Sequence, residues 1–179
     1  GFLLVRNALD SDLHQRLIEV VNRVDKRERK AEDGNRLLSI TDVVHEDPSM
    51  VELVDNPHVF PKLWSILGWN IYLYHSHLDV TPSENADDQP WNVAWHQDSM
   101  RVNDEIESNP RPRLSVKIGY YLTDVSQPNQ GNTLVLPGSH LDNQLDCPND
   151  GISSPEDTIP VCVNAGDAVI LDRRVWHTR

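Results

Sequence analysis

The chain has 179 residues, with 16 Lys+Arg against 28 Asp+Glu and a formal net charge of −12, at 38% hydrophobic and 25% charged. Those values describe one globular domain with enough apolar side chains for a core, and they exclude wholesale disorder. No apolar run approaches the roughly 20 residues of a membrane span. The acidic balance also argues against nucleic acid as a partner, because the short basic cluster Lys26-Arg27-Glu28-Arg29-Lys30 is interrupted by acid. Two cysteines, Cys147 and Cys162, cannot build a disulfide framework. With no signal-like segment at the start, they point to a reducing, cytoplasmic compartment.

In chain order, Gly1 to Val5 reads as a short buried strand. Asp10 or Ser11 then offers an N-cap to a helix carrying Leu13, Leu17, Val20, Val21 and Val24. Pro48 to Gly68 holds two more short helical patterns. From Trp69 the period becomes two. Over 69–82, Tyr72, Tyr74, Ser76, Leu78 and Val80 share one face, and Ile71, Leu73, His75, His77 and Asp79 share the other. Further strands are expected at Trp91–Asp98, Leu114–Asp124, Thr133–Leu136, Val161–Val163 and Ala168–His177, with turns at Pro137-Gly138 and Asn164-Ala165-Gly166-Asp167. Helices first and many short strands after them predict a mainly β fold with N-terminal helices, arranged as a jelly roll.

The sharpest chemical feature is Trp95-His96-Gln97-Asp98. On an extended strand residues i and i+2 project from one face, so His96 and Asp98 can offer an imidazole and a carboxylate to one point. A third ligand is available at His177, since a jelly roll brings distant residues together. His/Asp/His is the facial set that binds non-haem Fe(II) with open positions, whereas a structural zinc site is closed by four protein ligands. A rival lies at His75, His77 and Asp79. Three ligands on one strand stand about 7 Å apart and cannot all reach one ion, but two of them could with outside help, as in a cupin-like metalloenzyme using His75 and His77. On the Leu114–Leu122 run, Lys117 shares the face opposite Val116, Ile118 and Tyr120 and could point into a pocket.

Four blocks resemble the phytanoyl-CoA dioxygenase family of Fe(II)/2-oxoglutarate oxygenases: Gly1-Phe2-Leu3-Leu4-Val5-Arg6-Asn7, Trp95-His96-Gln97-Asp98, Tyr121-Leu122-Thr123-Asp124 with Gly131 to His140, and Ala165 to Asp172 leading to Trp176-His177. The resemblance implies a double-stranded β-helix (a cupin-like barrel) in which His96, Asp98 and His177 are both catalytic and metal ligands. It implies Fe(II) as metal and 2-oxoglutarate as co-substrate, decarboxylated to succinate and CO2 while O2 hydroxylates a small organic substrate. It places His77, Asp79, Gln97 and Lys117 at the co-substrate and His75 and Tyr121 at the substrate, with Asp79 paired to Lys117. Relatives that halogenate carry a small residue where Asp98 stands, so hydroxylation is the expected outcome. The reading takes residues 1–179 as a single oxygenase domain lacking its extreme N-terminus and last C-terminal strand or strands, with the Arg that holds the far carboxylate falling beyond Arg179. A non-catalytic jelly-roll binding protein is the alternative of another class.

His140 is expected to hold a turn, His14, His45 and His58 to lie at the surface, and Asp124 and Asp172 to cap turns or strand ends. The loops 82–92, 99–113 and 141–160 are expected at the pocket mouth.

Overall fold

The structure, a computed structural model, describes residues 1–34, 36–81, 93–106, 108–142 and 154–179. After strand β1 (Phe2–Val5) comes helix α1 (Ser11–Glu28), whose start is set by Asp10 accepting from the Leu13 N–H at 2.8 Å. Leu13, Leu17, Val20 and Val24 form its buried stripe and pack with Leu9 and Met50. Strand β2 (Leu38–Thr41) and the short helices α2 (Pro48–Val51) and α3 (Phe60–Leu67) follow, the last two matching the paired helical patterns.

The expected strand over 69–82 shortens to β3 (His77–Val80). Its partner explains the difference. β2 pairs with β3 from Leu38↔Val80 to Thr41↔His77, and Asp42 then turns into the left-handed region at φ +59° and ends the ladder. Upstream of His77, Trp69, Tyr72 and Tyr74 are exposed, and alternation alone makes no strand there.

Helix α4 (Met100–Glu105) occupies part of the expected 99–113 loop, and strands β4 (Val116–Tyr120), β5 (Leu134–Val135) and β6 (Ile159–Pro160) come next. β6 lies just before the expected Val161–Val163 strand, which keeps only a bridge from Val163 to Val125. The expected Ala168–His177 strand is two strands, β7 (Ala168–Asp172) and β8 (His177–Thr178). The turn between them forms because Asp172 accepts the Arg174 N–H on its side chain at 2.9 Å and the Val175 N–H on its carbonyl at 3.0 Å. The Trp91–Asp98 expectation reduces to a single bridge at His96, with 91 and 92 outside the described residues, as are 82–90, Cys147 and most of the 141–160 loop.

The described residues form three sheets, ordered β1-β7-β4, β2-β3 and β6-β5-β8, with every pair among them antiparallel. β7 is apolar along its length because both faces are covered. Val169 and Leu171 join Val125, Val135, Val161, Val163 and Val175 on one side, while Ala168 and Ile170 meet Val5, Val59 and Leu63 on the other. Asp167, at the Gly166 turn (φ +87°), pins the end of β1 to this strand by accepting from Asn7 N–H at 2.8 Å and Arg6 at 2.6 Å, and closes its own turn by accepting from Asn164 N–H at 2.9 Å. Burial opposes its charge, but these donors outweigh that and hold its carboxyl below the ordinary range. No helix among the described residues is long and apolar enough to cross a membrane.

Candidate metal centre

The turn after β7 carries the chain from one three-stranded sheet to the other, and so delivers His177. β8 pairs with β5, Val135 opposite His177, and His177 also bridges His96. Each of these two histidines donates its backbone N–H to the other's carbonyl at 3.0 Å, and their ring centroids lie 4.3 Å apart. Asp98, two residues on, brings its Oδ1 to 3.9 Å from the Nε2 atoms of both. Among the described residues, His96, Asp98 and His177 are the group of three whose ligand atoms all fall within 4.8 Å of one another. His75, His77 and Asp79 do not form a second such group. His75 and His77 have ring centroids 5.2 Å apart, and His77 lies 3.8 Å from Asp79.

The imidazoles are prepared for a metal. His96 Nδ1 lies 2.8 Å from the Ala94 carbonyl and His177 Nδ1 lies 2.9 Å from the Val175 carbonyl. A carbonyl only accepts, so each Nδ1 carries the proton and each Nε2 keeps its lone pair facing Asp98. Burial pushes His177 down to about 4, aided by His96 and the Lys117 ammonium nearby, so it is a neutral ligand at physiological pH. Ligand atoms about 2.1 Å from one ion and at right angles are about 3 Å apart. The observed 3.9 Å spacings need only a small contraction. The donor set therefore fits a divalent ion with open positions.

Lys117 reaches this centre from β4, with Nζ 2.8 Å from Asp98 Oδ2 and 3.3 Å from His177 Nε2. The expected Lys117–Asp79 pair is therefore replaced. Asp79 is paired with Arg179 at 3.0 Å, because Lys117 is engaged one carboxylate away. Burial lowers His77, against the opposing pull of Asp79. Tyr121 shares a hydrogen bond of 2.7 Å with Thr133, and burial raises its hydroxyl. His75 is exposed.

Gln97, expected at the co-substrate, sits elsewhere. Its Nε2 donates to the Arg174 carbonyl at 2.6 Å, and its Oε1 accepts from Asn103 at 3.2 Å. On a strand the residue between two ligands faces away from them, so Gln97 braces the His96–Asp98 segment against the turn before His177. Asn103, fully buried, also donates to the Asp98 carbonyl at 3.0 Å. Sequence reading passed over Asn103 and Ser139. Ser139 Oγ accepts the Trp176 N–H at 2.9 Å and donates to the Leu136 carbonyl at 2.7 Å, holding the approach to His177. Its place in Pro137-Gly138-Ser139-His140 was the available signal. Arg173 and Arg174, just before His177 in the sequence, are both buried.

The phytanoyl-CoA dioxygenase family model matches residues 1–178. The chain belongs to this family. The chain is 28% identical to "Dioxygenase andF" of Emericella variicolor over 195 residues, covering 99% of this chain and 64% of the relative. It thus spans less than two thirds of that curated relative's length. The fold is shared with HygX from Streptomyces hygroscopicus, solved with nickel and 2-oxoglutarate bound (TM-score 0.77, 16% identity, 99% of this chain and 75% of that one). It is shared as well with EctD from S. alaskensis, solved with 2-oxoglutarate and 5-hydroxyectoine (TM-score 0.75, 18% identity, 99% and 65%). The epimerase SnoN, solved with Fe3+, alpha ketoglutarate and nogalamycin RO, has a TM-score of 0.72 at 17% identity, covering 99% and 72%.

Proposed function

We propose that this chain is an Fe(II)/2-oxoglutarate-dependent dioxygenase that hydroxylates a small organic substrate. The observation that carries the reading is the convergence of His96, Asp98 and His177 with both Nε2 lone pairs freed by backbone carbonyls. Membership of a dioxygenase family and a fold shared with proteins solved with 2-oxoglutarate support it. The same fold likeness supports a double-stranded β-helix, with residues 1–179 acting as one oxygenase domain.

Fe(II) and 2-oxoglutarate, when bound, supply O2 activation: the oxo acid becomes succinate and CO2, and the second oxygen atom enters a substrate C–H bond. His96, Asp98 and His177 hold the metal from one face and leave the other to co-substrate and O2. One carboxylate and two neutral imidazoles leave the ion a net positive charge, which an incoming dianion meets. Lys117 adds to it. With Asp98 serving as a metal ligand, the Lys117 ammonium, 2.8 Å from its carboxylate here, would be free to hydrogen-bond a co-substrate oxygen. His77 and Asp79, the latter neutralised by Arg179, line the same side, and Tyr121 and His75 face the substrate.

Anaerobic addition of Fe(II) and 2-oxoglutarate tests this. The reading expects a visible charge-transfer band that disappears in His96→Ala, and succinate formation on admitting O2. A band with no succinate under any substrate set would instead mark a binding protein that keeps the metal. Loss of the band in His77→Ala but not in His96→Ala would move the centre to the rival histidines.

A further inference from the structure

Away from the metal centre, a cavity of about 760 Å³ opens beside the C-terminal end of α3, the 108–116 segment and the turn after β7. None of His96, Asp98, Lys117 or His177 lines it. Four arginines do: Arg111, Arg113, Arg173 and Arg174. The one carboxylate among its described lining residues is Asp172, in a chain whose overall charge is −12.

That carboxylate is already engaged. Arg174 holds both of its oxygens at 3.0 Å. Arg173 is the unusual member: it is only 4% exposed, yet its guanidinium has no ion-pair or hydrogen-bond partner among the described residues. Burial lowers its affinity for a proton, and Arg174 next to it works in the same direction. Asp172 pulls the other way, but both of its oxygens are held by Arg174, so the buried Arg173 guanidinium is left with hydrogen-bonding capacity that a ligand in the cavity can satisfy. The planar fork of a guanidinium matches a carboxylate or phosphate.

The walls say more about the occupant. The volume lies within the usual range for an organic ligand and is far larger than a bare oxyanion needs. Ile66, Leu67 and Leu114 add apolar lining beside the arginines, with Arg113 donating to the Ile66 carbonyl at 3.2 Å. We infer that this cavity is a binding site for an organic anion, an apolar body carrying one phosphate or carboxylate group that Arg173 and Arg113 hold. This goes beyond the proposed oxygenase chemistry and does not depend on it.

The experiment is a thermal-shift and calorimetric titration of the full chain, in the presence of a chelator, with phenyl phosphate, benzoate, inorganic phosphate and benzyl alcohol. Saturable binding of phenyl phosphate or benzoate is expected, at least severalfold tighter than inorganic phosphate, with none by the uncharged alcohol. Arg173→Met should abolish the response while leaving the ligand-free Tm equal or higher, since it removes an uncompensated charge. Arg113→Gln, at an exposed position, should weaken binding severalfold, and Lys117→Met should leave it intact. Binding of neither organic anion, inorganic phosphate binding as tightly as phenyl phosphate, a response that survives Arg173→Met, or a ligand-free Tm lowered by that substitution would each overturn the inference. Loss of the response in Lys117→Met would place the anion at the metal centre and overturn it as well.

Discussion

His96 and His177 are cross-strand neighbours that exchange both backbone hydrogen bonds at 3.0 Å. Side chains of such a pair leave the same face of the ladder, which sets the two imidazoles side by side before any metal arrives. The backbone thus fixes two of the three ligand positions, and whatever holds these two segments together tunes the centre.

Gln97 is the first such group. Gln97→Leu removes the 2.6 Å donation to the Arg174 carbonyl and should lower metal affinity roughly 10- to 100-fold with the fold retained. Titration with Co(II), followed by its visible spectrum, measures this. An unchanged metal affinity with a raised KM for 2-oxoglutarate would return Gln97 to the co-substrate.

In the proposed reaction Lys117 both pairs with Asp98, in competition with the metal, and serves the co-substrate. Lys117→Met should therefore tighten binding of metal alone severalfold, yet raise the KM for 2-oxoglutarate by about tenfold or more, the equivalent of a lost charge-assisted hydrogen bond. Opposite signs in the two titrations are the signature. Weakening of both would mean that Lys117 only supports the local structure.

Ser139→Ala leaves the buried Trp176 N–H without its acceptor and should cost about 1–3 kcal/mol of stability. Because that N–H precedes His177, metal affinity should fall too. Urea unfolding with and without metal separates the effects, and a variant with unaltered midpoint would show that water replaces the hydroxyl.

Asp167→Ala removes the two hydrogen bonds from Arg6 and Asn7 that tie the β1 end to β7, together with the Asn164 N–H bond that closes the turn before β7, and should destabilise the chain by about 3 kcal/mol. The native carboxyl lies below its unfolded value, so its contribution is fully present above the unfolded pKa and is lost as pH falls through the folded one. The acid limb of the stability profile should accordingly flatten below about pH 4 in the variant. An identical acid limb in both proteins would assign that limb to other carboxylates.

Part of this arrangement was legible in the amino-acid order. The stripe of Leu13, Leu17, Val20 and Val24 announces α1, and the opposed faces of Lys117 and of Val116, Ile118 and Tyr120 appear in β4 as read. His96 and Asp98 stand out because a two-residue spacing is a local property. The 69–82 run misled for the complementary reason: its alternation is real, but strand length depends on a partner, and β2 ends at Asp42. Pairing choices were equally hidden. Lys117 meets Asp98 in place of the expected Asp79, which Arg179 takes, since which carboxylate a long side chain meets depends on where its strand lies.

By itself, then, the order of residues determined periodicity, the N-cap at Asp10, the apolar character of β7 and the identity of the side chains able to ligate a metal, all of them consequences of neighbours a few positions apart. Tertiary structure alone decided that the chain breaks at Arg173–Trp176 and crosses between sheets, that His177 lands opposite His96, and that Gln97 turns away into Asn103 and Arg174. The physical reason is that local sterics set which way a side chain leaves the backbone, whereas convergence of three ligands needs the register of ladders formed by residues far apart along the chain.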